Sequence, residues 1–147
     1  MTPFRFRLEK VLAFRRTEVE LEEARYKQQS AAVAELDRLR AELEVNGIRT
    51  EIQVHDWSPL AGSDLTALAE FRSHIQKEEQ AIALRRIQAV RQLELLKKSM
   101  LEARRRCVLL ERLREKRLIE WKAACDRELD EIASESHLAA LARNADL

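Results

Sequence analysis

The residue types that most often carry chemistry are few in this chain of 147 residues. Three histidines, His55, His74 and His137, lie far apart in sequence, whereas a metal ion needs three or four convergent ligands. Cys107 and Cys125 would lie about 27 Å apart along one continuous helix, too far for a disulfide within the chain. We therefore predict no metal site and no cofactor, and we interpret both cysteines as small hydrophobic residues.

Catalytic motifs are also missing from the sequence. It contains no glycine-rich phosphate loop and no serine in a nucleophile-elbow context. Its paired carboxylates are adjacent in sequence, so they diverge around a helix and are typical of a solvated face. We predict that the protein is not an enzyme.

A run of three arginines, Arg104 to Arg106, raises the question of nucleic-acid binding, since phosphate neutralisation needs clustered bases. No aromatic residues alternate with these bases to stack on nucleotides, and acidic residues flank them. The formal net charge of the chain is only +1. An acidic protein surface is therefore the better predicted partner, and we expect no nucleic acid.

The elements that must position these residues are long helices. Ala, Leu, Glu, Arg, Lys and Gln dominate the composition, and the only glycines and prolines are Pro3, Gly47, Pro59 and Gly62. The sequence predicts one all-α domain over residues 1–147, an antiparallel coiled-coil hairpin. Helix 1 should span about 3–54, the turn about 55–63, and helix 2 about 64–140, followed by a frayed tail.

Helix ends have their own signals. Thr2 is the predicted N-cap of helix 1, and Ser63 or Asp64 that of helix 2. Gly47, which follows an asparagine, is a typical C-cap residue, so the end of helix 1 stays open between Val45 and Val54.

Apolar residues repeat at heptad spacing in both predicted helices and define one narrow seam. In helix 1 they are Leu8, Leu12, Val19, Tyr26, Val33, Leu36 and Leu43. In helix 2 they are Ile75, Ile82, Ala89, Leu93, Leu96, Met100, Ala103, Cys107 and Leu110, and the pattern then drifts onto Leu113, Leu118, Trp121, Cys125, Leu129 and Ile132. Neither stripe is stable alone, so the two helices should pair.

A turn near residue 59 places residue i opposite about 119 minus i, and charge tests this register. Residues 18–44 have a net charge of −4 and face residues 75–101 with a net charge of +3. At the open end, which holds both termini, residues 5–16 and 103–114 each have a net charge of +4. This repulsion predicts a neutralising partner, and residues from about 115 onward are expected to overhang without a partner helix.

No apolar run reaches the length of a signal peptide or a membrane span, so we expect a cytoplasmic protein without direct membrane insertion.

Two end motifs, residues 4–16 (FRFRLEKVLAFRR) and 110–122 (LERLREKRLIEWK), the latter followed by residues 128–133 (ELDEIA), resemble the FliJ family. Members of this family are soluble, stalk-like components of the flagellar type III protein export apparatus. The resemblance covers essentially the whole length of the chain. It implies an antiparallel two-helix coiled coil similar to the central stalk of rotary ATPases.

The resemblance also implies partners: the ring-forming export ATPase, the cytoplasmic domain of the export gate, and export chaperones. It implies peripheral association with the inner membrane through the apparatus. We expect the ATPase ring to contact the basic and apolar side chains of the open end: Arg5, Arg7, Arg15, Arg16, Arg104, Arg105, Arg106, Arg112, Leu113, Arg117 and Trp121.

In the family, the early part of helix 2 meets the gate through an aromatic residue followed at helical spacing by Leu and Ala-Ile. Here Ala81 and Ile82 match, whereas His74 and Glu78 replace the aromatic residue and the leucine. Phe71, one turn earlier, could substitute. The expected gate contacts are Phe71, Ile75, Ala81 and Ile82.

Two alternatives stay open at this point. The chain could be a generic coiled-coil scaffold or chaperone, or the equivalent stalk of a non-flagellar type III secretion system. The sequence also allows the helices to pair between chains instead of within one.

Overall fold

Two long helices form nearly all of the protein. The computed structural model describes residues 2–57, 59 and 61–145, with helix α1 at Glu9–His55 and helix α2 at Gly62–Ala145. The described residues contain no strand. The helices pack against each other, so the predicted all-α helical hairpin is confirmed.

Helix α1 begins at Glu9, six residues later than predicted, so Thr2 is not its N-cap. The Glu9 N–H instead donates to the Phe6 carbonyl oxygen at 3.2 Å. Residues 2–8, here called the N-terminal segment, are not helical. The Phe4 side chain packs against Trp121 of α2, and this packing replaces a first turn of helix.

At its other end α1 continues to His55, and Gly47 lies inside it. The C-cap alternative at Val45 is therefore wrong. A glycine in a helix interior costs about 1 kcal/mol relative to alanine. Burial of the later residue Val54 and contact of Ile75 with the Gly47 position offset that cost.

Helix α2 begins at Gly62, slightly before the predicted caps. Asp64 still contributes to its start, because one of its carboxylate oxygens accepts the Ala61 N–H at 3.0 Å. An acidic side chain at the third helical position commonly reaches back in this way. Helix α2 continues to Ala145, five residues beyond the predicted end.

Contacts divide the chain into two compact units. The turn unit is residues 20–101, in which Ile82 and Met100 are buried in the seam. The terminal unit is formed by the described residues of 1–19 and 102–147, with Leu12 fully buried against α2. The seam therefore has the predicted periodicity in both units.

Half-buried side chains complete the seam: Val19, Tyr26, Val33, Leu36, Leu43, Ile75, Ala89, Leu93, Leu96, Leu110, Leu118, Trp121 and Cys125. Leu8 and Leu113 are predicted members that the structure leaves exposed.

Pairs across the seam run antiparallel and reveal the register. In the turn unit, the Gln29 side-chain amide donates to the Ala89 carbonyl at 3.0 Å, and these residue numbers add to 118, close to the predicted 119. The ion pair of Asp37 with Arg86, at 2.6 Å, adds to 123. Side chains lean toward the N-terminus of their own helix, so contacting side chains in antiparallel helices belong to residues with a larger sum. The predicted sum of 119 therefore describes the backbone register, and the side-chain pairs are offset from that register by about one turn.

Candidate functional site

The N-terminal segment of the terminal unit lies along α2. The Trp121 indole N–H donates to the Thr2 carbonyl oxygen at 3.1 Å. The Phe4 ring packs on Trp121 with a centroid distance of 5.9 Å and an interplanar angle of 55°. The Arg114 guanidinium lies 5.8 Å from the Phe4 ring centroid, within cation–π range. Trp121 is therefore a packing residue for this segment.

The sequence contained a signal for this arrangement. Residues 4 to 7 alternate between phenylalanine and arginine, and alternate side chains of an extended segment point to opposite sides. Phe4 and Phe6 are half-buried, whereas Arg5 and Arg7 are exposed, as the alternation requires. The predicted unpartnered overhang therefore begins later than residue 115.

A groove lies between the N-terminal segment and α2. Its lining combines aromatic, aliphatic and guanidinium groups: Thr2, Pro3, Phe4, Arg5, Phe6, Arg7, Leu8, Leu113, Arg117 and Trp121. Apolar surface beside several fixed positive charges is suited to a peptide that is acidic and carries an apolar anchor. In the terminal unit the structure thus brings Arg5, Arg7, Leu113, Arg117 and Trp121 of the predicted ATPase contacts together.

Ion pairs between described residues cross the seam of the terminal unit and correct the prediction of simple repulsion there. Glu9 accepts from Arg114 at 3.1 Å, and Glu111 lies 3.3 Å from Arg16. Glu18 lies 3.6 Å from Arg106. The few acidic residues stand opposite basic ones, which reduces the repulsion between the two basic segments.

Several predicted contact residues are therefore engaged within the unit. Arg15 pairs with Glu18 at 2.8 Å, and Arg106 also pairs with Glu102 at 2.8 Å. Arg117 pairs with Glu120 at 3.0 Å on the same helix. Exposed pairs of this kind exchange partners at little cost.

Other exposed basic side chains have no ion-pair partner within the part of the chain that the structure describes. They include Arg5, Arg7, Lys10, Arg105, Arg112, Lys116 and Lys122. Arg105 and Arg112 are seven residues apart on α2, so they share one face of the helix. These side chains contribute uncompensated positive charge to the terminal unit.

From residue 126 to Ala145, every residue of α2 is exposed. This segment, here called the overhang, carries five acidic and two basic residues, a net charge of −3. Leu129 and Ile132 are 52% and 53% exposed there. At 100° per residue they continue the helix face of Trp121 and Cys125, so the apolar seam extends beyond its intramolecular partner.

The two cysteines occupy different surroundings. Cys107 is buried in the seam, with its sulfur 3.8 Å from a Glu111 carboxylate oxygen. Burial raises the pKa of the Cys107 thiol above its ordinary value, and the Glu111 carboxylate contributes in the same direction. Cys125 is only half-buried, next to the start of the overhang. Cys107 is therefore the less reactive thiol.

The predicted gate contacts lie in the turn unit and belong largely to its seam. Ile82 is buried, and Phe71, Ile75 and Ala81 are half-buried. Phe71 and Ile75 line a shallow groove together with Gly47 of α1. Ile82 cannot reach a partner while the helices stay paired, so this groove is the part of the predicted patch that a partner can reach.

The described residues contain no group of three histidine, cysteine or acidic side chains arranged to hold a metal ion. None of the described helices is long and apolar enough to cross a membrane. Comparisons with protein-family models, with curated proteins and with solved structures find no match to this chain.

Proposed function

We propose that the protein is a non-catalytic, stalk-like component of a flagellar type III protein export apparatus. In this proposal it binds the ring of the export ATPase and links that ring to the export gate and the export chaperones. It works in the cytoplasm and is held at the inner membrane by these partners. The resemblance of residues 4–16 and 110–133 to the FliJ family supports this reading.

One observation carries the proposal. The terminal unit combines uncompensated arginines, including Arg105 and Arg112, with an apolar helix face that continues past its intramolecular partner. Arginines and exposed apolar side chains on a rigid helical element are typical of a protein-binding surface. The positive charge favours an acidic partner surface and accelerates association at low salt.

The gate contact belongs to the turn unit in this proposal. Phe71 and Ile75 are its anchors, because they line a groove that opens to solvent. Ala81 and Ile82 support these anchors from within the seam.

Steady-state ATP hydrolysis by the export ATPase tests the proposal. The wild-type protein should stimulate hydrolysis, and the variant Arg5/Arg7/Arg105/Arg112→Glu should not. Arg106 is left unchanged, because its ion pair with Glu18 joins the two helices, so its replacement would change the helix pairing as well as the surface charge.

The matched control changes the same number of charges on exposed residues of the turn unit: Arg85/Arg91/Lys97/Lys98→Glu. Circular dichroism must show equal helicity for both variants. Stimulation that survives in the control and disappears in the first variant supports ring binding by the terminal unit. No stimulation by the wild type at saturating concentration would refute the proposal.

The second candidate is a generic coiled-coil scaffold or chaperone, or the stalk of a non-flagellar secretion system. Burial of Ile82 favours this candidate over a gate-specific protein, since one of the four expected gate contacts is inaccessible. A scaffold would leave ATP hydrolysis unchanged. The non-flagellar stalk would stimulate only the ATPase of its own system.

A further inference from the structure

We propose that two copies of this chain associate through their terminal units, with the acidic overhang of each copy lying along the basic groove of the other. The arrangement is antiparallel and has a twofold axis close to residue 124 of α2. It requires only the chain itself and does not rest on the proposed function, but a docked copy covers Arg5 and Arg7, so the dimer and the ATPase-bound form exclude each other.

The overhang has the chemistry of a docking helix. Its seam face presents Leu129 and Ile132, with Glu128 and Glu131 along one flank of that face and Asp126 along the other. Its 20 residues span about 30 Å, or nearly three heptads. An apolar stripe of this length, with acidic flanks, is complementary to an apolar surface with basic flanks.

The groove has that complementary chemistry. Phe4, Phe6 and Trp121 supply apolar surface, and Arg5, Arg7 and Arg117 supply positive charge. Residues 112–122 of α2 carry five basic and two acidic side chains, a net charge of +3. Groove and overhang follow each other directly along α2, so one chain carries both halves of the complementary pair.

A single chain cannot bring these halves together. Helix α2 is uninterrupted from Gly62 to Ala145, so the overhang leads away from the groove of its own chain. Pairing of two overhangs with each other would oppose two segments of net charge −3. In a twofold dimer, the acidic overhang of each copy meets the basic groove of the other, so neither copy keeps an unoccupied groove or an unpaired overhang.

The register follows from the contact of unlike charges. Glu131 of one copy meets Arg117 of the other when opposed residue numbers add to 248, because both side chains lie on the same flank of α2. Helices at contact distance are about 8–10 Å apart, so the two copies of Cys125 lie about 10 Å apart near the axis.

Sedimentation velocity of the full chain at low salt tests the association. The wild type should form a dimer, and Glu131→Lys or Arg117→Glu alone should weaken it by about tenfold or more. The double variant Glu131→Lys/Arg117→Glu should recover the wild-type dimer, because it restores both ion pairs with reversed charge. Glu94→Lys, an exposed charge change in the turn unit, is the matched control and should leave the dimer unchanged.

A short bismaleimide cross-linker gives an independent readout on the unmodified protein. It should join two copies through Cys125, and Cys125→Ser should abolish the product, since Cys107 is buried. A wild-type chain that stays monomeric at about 100 µM, far above the working range of specific complexes, would overturn the proposal. So would a double variant that remains as weak as the single variants.

Discussion

Replacement of Gly47 by alanine should stabilise the protein by about 1 kcal/mol. Gly47 lies inside α1, where glycine is less favourable than alanine by about 0.8–1.0 kcal/mol. An added Cβ would meet the Ile75 Cγ2 atom at 3.7 Å, an ordinary van der Waals contact. The substitution therefore gains helix propensity without a steric penalty in the seam.

Thermal unfolding followed by circular dichroism measures this effect. For a chain of this size, 1 kcal/mol corresponds to a rise in Tm of about 3 °C. Ala41→Gly, an exposed interior position of the same helix, is the reverse control and should lower Tm by a similar amount. A Cβ added at Gly62 would meet no atom within 4 Å, but Gly62 lies at the start of α2. Gly62→Ala should therefore raise the free energy of unfolding by less than Gly47→Ala.

A Gly47→Ala variant that is less stable than the wild type would refute this reasoning. It would mean that α1 ends near this glycine, as the C-cap signal in the sequence suggests, or that Ile75 approaches more closely than 3.7 Å.

Three further predictions follow from the terminal unit. Leu12→Ala should lower the free energy of unfolding by about 3 kcal/mol, because Leu12 is fully buried, whereas Leu8→Ala should lower it by less than about 1 kcal/mol. Urea titration measures both values, and equal losses of unfolding free energy in the two variants would contradict the prediction. Trp121→Ala should release the N-terminal segment, so trypsin should cut that segment faster without a change in helicity; an unchanged cleavage rate would contradict the contact. Cys125 should react with a maleimide faster than Cys107 at neutral pH, since burial and a raised pKa keep the Cys107 thiol protonated; mass spectrometry of the labelled peptides would reveal the reverse order.

The helices and their pairing were predictable because strong local signals agree. Residues 64–147 contain no glycine or proline, and the heptad pattern identified most buried side chains, including Leu12 and Met100. The helix ends were less predictable. Thr2 and Pro3 have the local preferences of a helix start, but packing of Phe4 on Trp121 opposes those preferences.

The candidate site was predictable in its charge and less so in its geometry. The net charges of residues 5–16 and 103–114 predicted that the terminal unit is basic. Net charge alone did not reveal that Glu9, Glu18 and Glu111 lie opposite arginines. Those pairs depend on the lean of side chains along each helix, which shifts contacts by about one turn from the backbone register. The expected gate contacts rest on the resemblance to the FliJ family. Helical spacing alone does not distinguish a buried seam residue such as Ile82 from a residue that contacts a partner at the surface.

The most direct test of the proposed function is site-specific photocross-linking to the export ATPase. A photoreactive residue at position 112 of the terminal unit should form a covalent product with the ATPase, and one at position 85 of the turn unit should not. Both positions are exposed on α2, so a difference reports the location of the partner. Equal products from the two positions, or no product from position 112, would contradict binding of the ATPase ring by the terminal unit.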